Sequence, residues 1–260
     1  MAFTQAHRSL LGRFNSTISA NILEAYDAYR DSKIQSSINR LPSKTIAPSS
    51  FRCARRCWFR LRGTTPDTLK KPDKILDFSA NVGTACHTLM QTDLKNMLND
   101  NWLDVSNYLS SIGFYDRYKC IVSPSSDNLE TRISIESPPI RFSCDGLICW
   151  DDTIYLLEIK TCEYSTFQDL VEPKDEHIDQ IRLYASLLQV SKVLFIYQDR
   201  TYGNIKVYEY DVTVSDIEYV RDKIQYIMDC VDAQVAPSRL PRGDKWCTNC
   251  PYTVKCKEWG

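Results

Sequence analysis

The sequence predicts an α/β fold, a mixed central β-sheet flanked by helices, and three observations carry that expectation. Between Phe142 and Thr161 two apolar runs meet at a polar Asp151-Asp152 pair, which reads as a β-hairpin. Both faces of this hairpin are apolar, so it belongs in the middle of a covered sheet. Helical spacing over Ser79–Leu98, over Lys174–Gln189 and from Ser215 onward surrounds it, and Val193–Tyr197 adds a short, fully apolar strand.

Taken in order, the chain opens with a polar helical stretch from Asn15 to about Ile38, followed by a breaker-rich linker from Leu41-Pro42 to Pro48. Ser49 or Ser50 is placed to cap a short helix that ends at Gly63. That helix carries Arg52, Arg55, Arg56, Arg60 and Arg62, and five guanidiniums interleaved with Phe51, Trp58 and Phe59 read as phosphate contacts. Thr64 to Asp77 is a loop able to cover a DNA channel. Ser79 opens the next helix, on which Gly83 and His87 share a face; the glycine admits a close neighbour and the histidine points at it. Period-two spacing from Phe114 to Arg141 gives strands near Tyr115–Val122 and Leu129–Ile135. Beyond the hairpin, the helix Lys174–Gln189 carries Gln180 and Tyr184 on one face, with His177 three residues before Gln180. Tyr202-Gly203-Asn204 turns Val193–Tyr197 into Ile205–Tyr210, and Ser215-x-x-Glu218 reads as a capping box opening a last long helix.

The hairpin sets the chemistry. With Asp151-Asp152 as the turn centre, Asp145 stands opposite Glu158, and opposite side chains have Cβ atoms about 5 Å apart. Lys160 shares that face. Leu147, Cys149, Ile154 and Leu156 take the same face, and Phe142, Ile148, Tyr155, Leu157 and Ile159 the other. Asp-Asp is not among the favoured two-residue turns, and a three-residue loop would break the register. A buried Glu–Lys salt bridge is the plain reading of Glu158-Ile159-Lys160; the matched register of Asp145 tilts it toward a metal site, since carboxylates buried together need a cation.

At 260 residues the chain can bury one sizeable core, and 43% hydrophobic with 25% charged residues is ordinary for a globular protein. The net charge of −1 offers no global basic field, so nucleic-acid binding must rest on local patches. No run of about 18 apolar residues predicts a membrane span, and the start MAFTQAHRSLLGRF lacks the apolar core of a signal peptide. The 11 cysteines then argue for a reducing, cytoplasmic setting and for metal ligation rather than disulfides. Cys247-x2-Cys250-x5-Cys256 is a metal signal, and thiolate spacing alone suits zinc or an iron–sulfur cluster equally. The fourth ligand must come from afar, from Cys53 or Cys57. The remaining cysteines sit in apolar segments as small buried hydrophobes.

Asp145, then Glu158-Ile159-Lys160, with Gly83-x-x-x-His87 upstream and Gln180-x-x-x-Tyr184 downstream, resembles the PD-(D/E)xK nuclease superfamily in its RecB-like branch, over most of the chain from about Ser50. One upstream Cys followed by Arg, with C-x2-C-x5-C after the core, resembles the iron–sulfur exonucleases of that branch, including the AddB nuclease domain and CRISPR-associated exonucleases. Their first cysteine usually reads Cys-Pro-Arg; here it is Cys53-Ala54-Arg55, a small departure, and Cys57 falls where that family tends to place an aromatic residue, so the resemblance implies Cys53, with Cys57 as runner-up. The resemblance implies a restriction-endonuclease-like core over 79–236, preceded by a helical arm and linker over 1–48 and an Arg/Cys helix with covering loop over 49–78, and followed by a cysteine tail over 237–260. It implies that His87, Asp145, Glu158 and the Ile159 carbonyl hold Mg2+ or Mn2+, that Lys160, Gln180 and Tyr184 assist catalysis, and that Cys53, Cys247, Cys250 and Cys256 hold a structural [4Fe-4S] cluster. Arg52, Arg55, Arg56 and Arg60 become the DNA grips. The implied function is a metal-dependent DNA exonuclease acting mainly on single strands, with recombination, replication or CRISPR-adaptation proteins as partners. The alternative is a DNA-binding or structural module with a four-cysteine metal staple and no nuclease activity.

Overall fold

Asp151 and Asp152 both adopt left-handed backbone angles, φ 47° and 57°, the pair that a two-residue type I′ turn requires. The hairpin therefore forms in the expected register, with Leu147 opposite Leu156 and Trp150 opposite Thr153. The computed structural model to which it belongs describes residues 17–38, 43–67, 73–248 and 250–259. The start of the chain, Leu41-Pro42 and the middle of the expected covering loop lie outside them.

The strands are β1 Trp102–Leu103, β2 Cys120–Pro124, β3 Thr131–Ile135, β4 Ile140–Cys144, β5 Leu147–Trp150, β6 Thr153–Cys162, β7 Lys192–Asp199 and β8 Ile205–Asp211. The α-helices are α1 Thr17–Ile38, α2 Ala54–Leu61, α3 Lys74–Leu98, α4 Val105–Ser111, α5 Phe114–Arg117, α6 Tyr164–Asp169, α7 Asp175–Leu188, α8 Val214–Asp232 and α9 Thr253–Glu258. By contacts the chain divides into two units, Met1–Arg40 with Leu69–Ala80, and Leu41–Thr68 with Asn81–Gly260. In the first, Lys74 Nζ pairs with Asp27 and Asp31 at 3.3 and 3.2 Å, and Arg30 Nη2 donates to the Lys74 carbonyl at 2.7 Å.

The second unit holds a five-stranded mixed sheet in the order β1-β5-β6-β7-β8 and a three-stranded antiparallel sheet β2-β3-β4. Only β6 and β7 run parallel, joined by the crossover through α6 and α7 that a parallel pair demands. The five-stranded sheet is apolar on both faces, as expected for its centre. Ile148, Leu157, Ile159 and Ile196 pack with Met90 and Leu98 of α3 on one face. Leu147, Leu156, Val193 and Phe195 pack with Ile181 and Leu188 of α7 on the other. A third cluster of Trp58, Phe59, Cys230 and Tyr252 gathers α2, α8 and the tail. Among the described residues no helix is long and apolar enough to cross a membrane.

Several local expectations shift. Phe142 to Trp150 is not one strand: the chain leaves the three-stranded sheet after Cys144 and enters the five-stranded sheet at Leu147. The break falls at Asp145-Gly146, where a Cβ on Gly146 would stand 2.6 Å from the Trp102 indole. Phe142 consequently joins the α7 side, stacked on Tyr184 at 5.2 Å. The α3 helix begins at Lys74 rather than Ser79, because Asp73 Oδ1 caps it, accepting from the Ile75 and Leu76 amides at 3.0 and 2.9 Å. The serines expected to cap the α2 region lie in a 3-10 turn, Pro48–Ser50, and α2 starts after Cys53 with no side-chain cap. Gly63, at φ 66°, ends that region as expected. Phe114–Arg117 is a helical turn rather than strand. The capping box is Thr213-x-x-Asp216, two residues before the one expected.

Candidate functional site

Strand alternation along β6 turns Glu158 and Lys160 to the face that carries Leu156. Glu158 is only 1% exposed, and its Oε1 faces the Lys160 ammonium as an ion pair. That oxygen is nonetheless buried without a well-formed hydrogen bond. Burial drives the Glu158 carboxyl well above the usual carboxylate range; Lys160 opposes the shift and the nearby Asp145 charge adds to it. For Lys160 burial works the other way, but the charges of Glu158 and Asp145 prevail and its pKa is raised. Two carboxylates and an ammonium thus meet at one place, Glu158 buried and Asp145 and Lys160 partly exposed.

Asp145 reaches that place from the break between the two sheets. Its Oδ2 accepts from the Ile159 backbone N–H at 2.9 Å and from His87 Nε2–H at 3.0 Å. The Leu157 N–H to Gly146 carbonyl bond, 2.9 Å, extends the hairpin register up to the break. Burial disfavours charge on His87, yet its hydrogen bond to Asp145 outweighs this and raises its pKa. His87 comes from α3, which lies so near the end of β6 that a Cβ on Gly83 would stand 3.0 Å from Thr161 Oγ1. Tyr184, on α7, is buried; burial first, then the charges of Glu158 and Asp145, hold its phenol well above the normal range, so it stays protonated. Its hydroxyl accepts from Gln180 Nε2.

Among the described residues no three His, Cys, Asp or Glu side chains are gathered as a finished metal cage. The donors are paired instead, His87 with Asp145 and Glu158 with Lys160. Their chemistry still fits a hard divalent cation: carboxylate oxygens of Asp145 and a buried Glu158, with one imidazole beside them.

Two contributors, Gln91 and Tyr197, escaped sequence reasoning. Gln91, one turn beyond His87, donates from Nε2 to the Asp145 carbonyl at 2.7 Å and to the Leu129 carbonyl at 3.2 Å, and is 2% exposed. Its i, i+4 relation to His87 is the signal that could have found it. Tyr197 stands opposite Lys160 in the β6–β7 ladder and contacts His177. The place of Tyr197 beside Lys160 is not legible before the strand pairing is known, whereas His177 is already placed on the helix of Gln180.

Cys53, Cys247, Cys250 and Cys256 line one cavity of about 590 Å3, together with Arg55, Arg56, Arg239, Arg242 and Trp246. Cys57 does not line it. Its thiol is fully buried, donates to the Ser50 carbonyl at 3.2 Å, and is pushed up to about 12 by burial. Burial also raises Cys53, to which Cys250 and Cys256 add. Arg55 Nη1 lies 3.9 Å from Cys256 Sγ, so the donor set is thiol-rich with a cation beside it, chemistry that fits a thiolate-bound metal group.

The arginines are engaged within the protein. Arg55 is 4% exposed and donates to the carbonyls of Pro237 and Cys256 at 2.5 and 3.0 Å. Arg52 pairs with Asp179 at 3.2 Å and Asp244 at 3.6 Å. Arg60 donates to the Thr45 carbonyl and Ser43 Oγ at 3.2 and 3.0 Å. Arg56 lies over the Trp246 ring at 5.9 Å, at the cavity. The start of the expected covering loop is tied to the tail, since Asp67 accepts from the Val254 and Lys255 amides.

No family model and no curated protein matches the chain. Among solved structures it is similar to SSO0001, with a TM-score of 0.48 and 16% identity over 91% of this chain and 98% of that one. It is also similar to an alkaline exonuclease, LHK-Exo, from Laribacter hongkongensis, with a TM-score of 0.43 and 16% identity over 74% of this chain and 90% of that one. The same exonuclease in complex with dAMP gives 0.43 and 15% over the same shares. Likeness at this level carries no argument about function, which rests on the side chains described above.

Proposed function

We propose that the protein is a metal-dependent DNA nuclease, an exonuclease acting mainly on single strands, with a structural [4Fe-4S] cluster at the cysteine cavity. The observation that supports it most is the convergence of Asp145, Glu158, Lys160 and His87, with the Glu158 carboxylate buried. Single-strand preference, exonuclease action and the cluster come from the motif resemblance.

In this reading His87, Asp145, Glu158 and the Ile159 carbonyl would hold Mg2+ or Mn2+. When bound, such an ion would neutralise charge on the scissile phosphate and lower the pKa of a bound water. Lys160, kept charged by its two acidic neighbours, orients the attacking water and stabilises the charge that develops on the phosphorane. Tyr184, kept protonated, is a donor held by Gln180. Cys53, Cys247, Cys250 and Cys256 would hold the cluster, which when bound would staple α2 to the tail.

End-labelled single- and double-stranded DNA incubated with Mg2+ or Mn2+ tests the reading. Asp145→Ala and Glu158→Ala should abolish cleavage, and Lys160→Ala should abolish turnover while metal still binds. Nucleotides released stepwise from an end would establish exonuclease action, and internal cuts would reject it. Unchanged rates in any of the three variants would sink the site. The internal bonding of Arg52, Arg55 and Arg60 favours a second reading, a structural module with a four-cysteine staple. A wild-type protein that retains its metal at the cysteines yet cleaves nothing would establish it.

A further inference from the structure

Three residues along one face of α7 address the sheet: His177, Gln180 and Tyr184. The reading above uses only the last two. His177 meets β7 at Tyr197, whose hydroxyl lies 2.7 Å from His177 Nδ1 and accepts from the Lys174 N–H at 3.2 Å. Tyr197 is the parallel-ladder partner of Lys160. Partners across a parallel pair point to the same face and sit about 4.8 Å apart. His177 therefore overlies the strand position beside Lys160.

The tautomer follows from counting protons. Tyr197 is 1% exposed, so water cannot take its hydroxyl proton. Lys174 N–H occupies the oxygen as an acceptor, and among the described residues the sole group left to receive the proton is His177 Nδ1. A ring nitrogen that accepts leaves the other to carry hydrogen, so the imidazole presents Nε2–H. That nitrogen has no protein partner among the described residues, and it is not sealed in the interior. Burial, then the charges of Lys160 and Lys174, push His177 down to about 3, so the ring is uncharged at neutral pH. A donor of this kind adds hydrogen bonding beside Lys160 without adding a second cation to repel it.

We propose that His177 is a substrate-contacting residue, donating from Nε2–H to a non-bridging oxygen of a nucleic-acid phosphodiester next to Lys160, and that Tyr197 is the positioning residue that sets its tautomer. The proposal rests on the nuclease reading and deepens it. The ligand class follows from the chemistry: an ammonium from one strand position and an uncharged N–H over the neighbouring one, on the same sheet face, suit the two non-bridging oxygens of a phosphodiester.

Two measurements test it, one of them independent of DNA. The chain has 3 histidines, so ring nitrogen-15 resonances of the wild-type protein are assigned by their loss in His177→Gln. His177 should be the Nε2–H tautomer and stay unprotonated between about pH 8 and pH 5, and Tyr197→Phe should release that preference. A labelled single-stranded oligonucleotide with Ca2+, which holds the complex without turnover, gives the second readout. His177→Ala should bind about tenfold more weakly, the worth of one hydrogen bond to a charged group, whereas His177→Gln, which keeps a donor, should lose less than about threefold. An Nδ1–H tautomer, or a ring that protonates in that pH range, overturns the positioning role of Tyr197 even if the alanine variant fails to fold. Wild-type affinity in a folded His177→Ala overturns the contact while leaving the nuclease reading intact. A wild-type protein that binds no DNA overturns both.

Discussion

Gln91 is the most exposing single test of how Asp145 is aimed. Its amide donates to two carbonyls, of Asp145 and Leu129, at 2.7 and 3.2 Å, and the side chain is 2% exposed. The Asp145 carbonyl lies at the break between sheets, where no ladder partner replaces the lost donor. Gln91→Leu keeps the bulk and removes both bonds. A buried acceptor left unsatisfied costs roughly 1–3 kcal/mol; Asp145 is only partly buried, so the pair should cost about 2–4 kcal/mol. That is survivable for a domain of about 5–15 kcal/mol stability. The same loss frees the Asp145 backbone, and each ~1.4 kcal/mol of lost alignment is tenfold in affinity or rate. Urea denaturation should show a lower midpoint at an unchanged slope, and Mn2+ calorimetry on the folded variant should show affinity lower by about tenfold or more. A variant as stable as the wild type would refute the hydrogen-bond accounting. A destabilised variant with wild-type Mn2+ affinity would refute the aiming of Asp145.

The cysteine assignment predicts that Cys53→Ser, Cys247→Ser, Cys250→Ser and Cys256→Ser each lose iron and thermal stability on anaerobic purification, while Cys57→Ser keeps its iron, because the Cys57 thiol is turned to the Ser50 carbonyl. Iron retained in Cys53→Ser and lost in Cys57→Ser would reverse the choice, and zinc in place of iron would replace the cluster. At the start of α8, burial opposes charge on Asp216, but the Thr213 N–H and hydroxyl and the Arg182 guanidinium outweigh it and depress its pKa. A depressed carboxyl stabilises the fold above its unfolded pKa and loses that contribution as pH falls through the folded one. Asp216→Asn should therefore cost about 1–3 kcal/mol at neutral pH, with the gap to wild type closing in acid-melting curves; a gap independent of pH would mean that the ion pair contributes nothing.

What the sequence made legible follows from local rules. The hairpin register came from placing two polar residues between apolar runs, and Asp151-Asp152 takes the left-handed turn although Asp-Asp is not a favoured pair. Alternation then assigned Glu158 and Lys160 to one face. The sheet break was not legible, because the period-two pattern runs straight through it. Its determinant is the Trp102 indole lying where a Gly146 Cβ would be, a contact remote in sequence. The early start of α3 and the shifted capping box have a different cause: Asp73 and Ser79, or Thr213 and Ser215, are all acceptable caps, and only packing chooses between them. The surroundings of the Arg-rich helix were the least legible. A run of guanidiniums among aromatics matches a phosphate grip, yet Arg52, Arg55 and Arg60 find acceptors within the protein, those of Arg52 and Arg55 as far away as Asp179, Asp244, Pro237 and Cys256.

Those acceptors decide how the tail influences the site. Two ion pairs run toward α7, Arg52 bridging Asp244 to Asp179, and Lys245 with Glu176 at 3.6 Å. Both involve partly exposed side chains, and exposed pairs contribute about 0–1 kcal/mol each. The tail's own anchorage is stronger: the buried Arg55 guanidinium bonds the Pro237 and Cys256 carbonyls, and Tyr252 stacks on Phe59 at 5.0 Å. The magnitudes therefore separate two routes by which, in the proposed reading, losing a cysteine-bound group would lower nuclease activity. Unfastening the tail exposes the cluster of Trp58, Phe59, Cys230 and Tyr252 and lowers global stability. The pull on Gln180 and His177 through Arg52 is too weak to misalign α7 while the fold persists. Activity in the cysteine variants should fall in proportion to the unfolded fraction, with turnover per folded molecule unchanged.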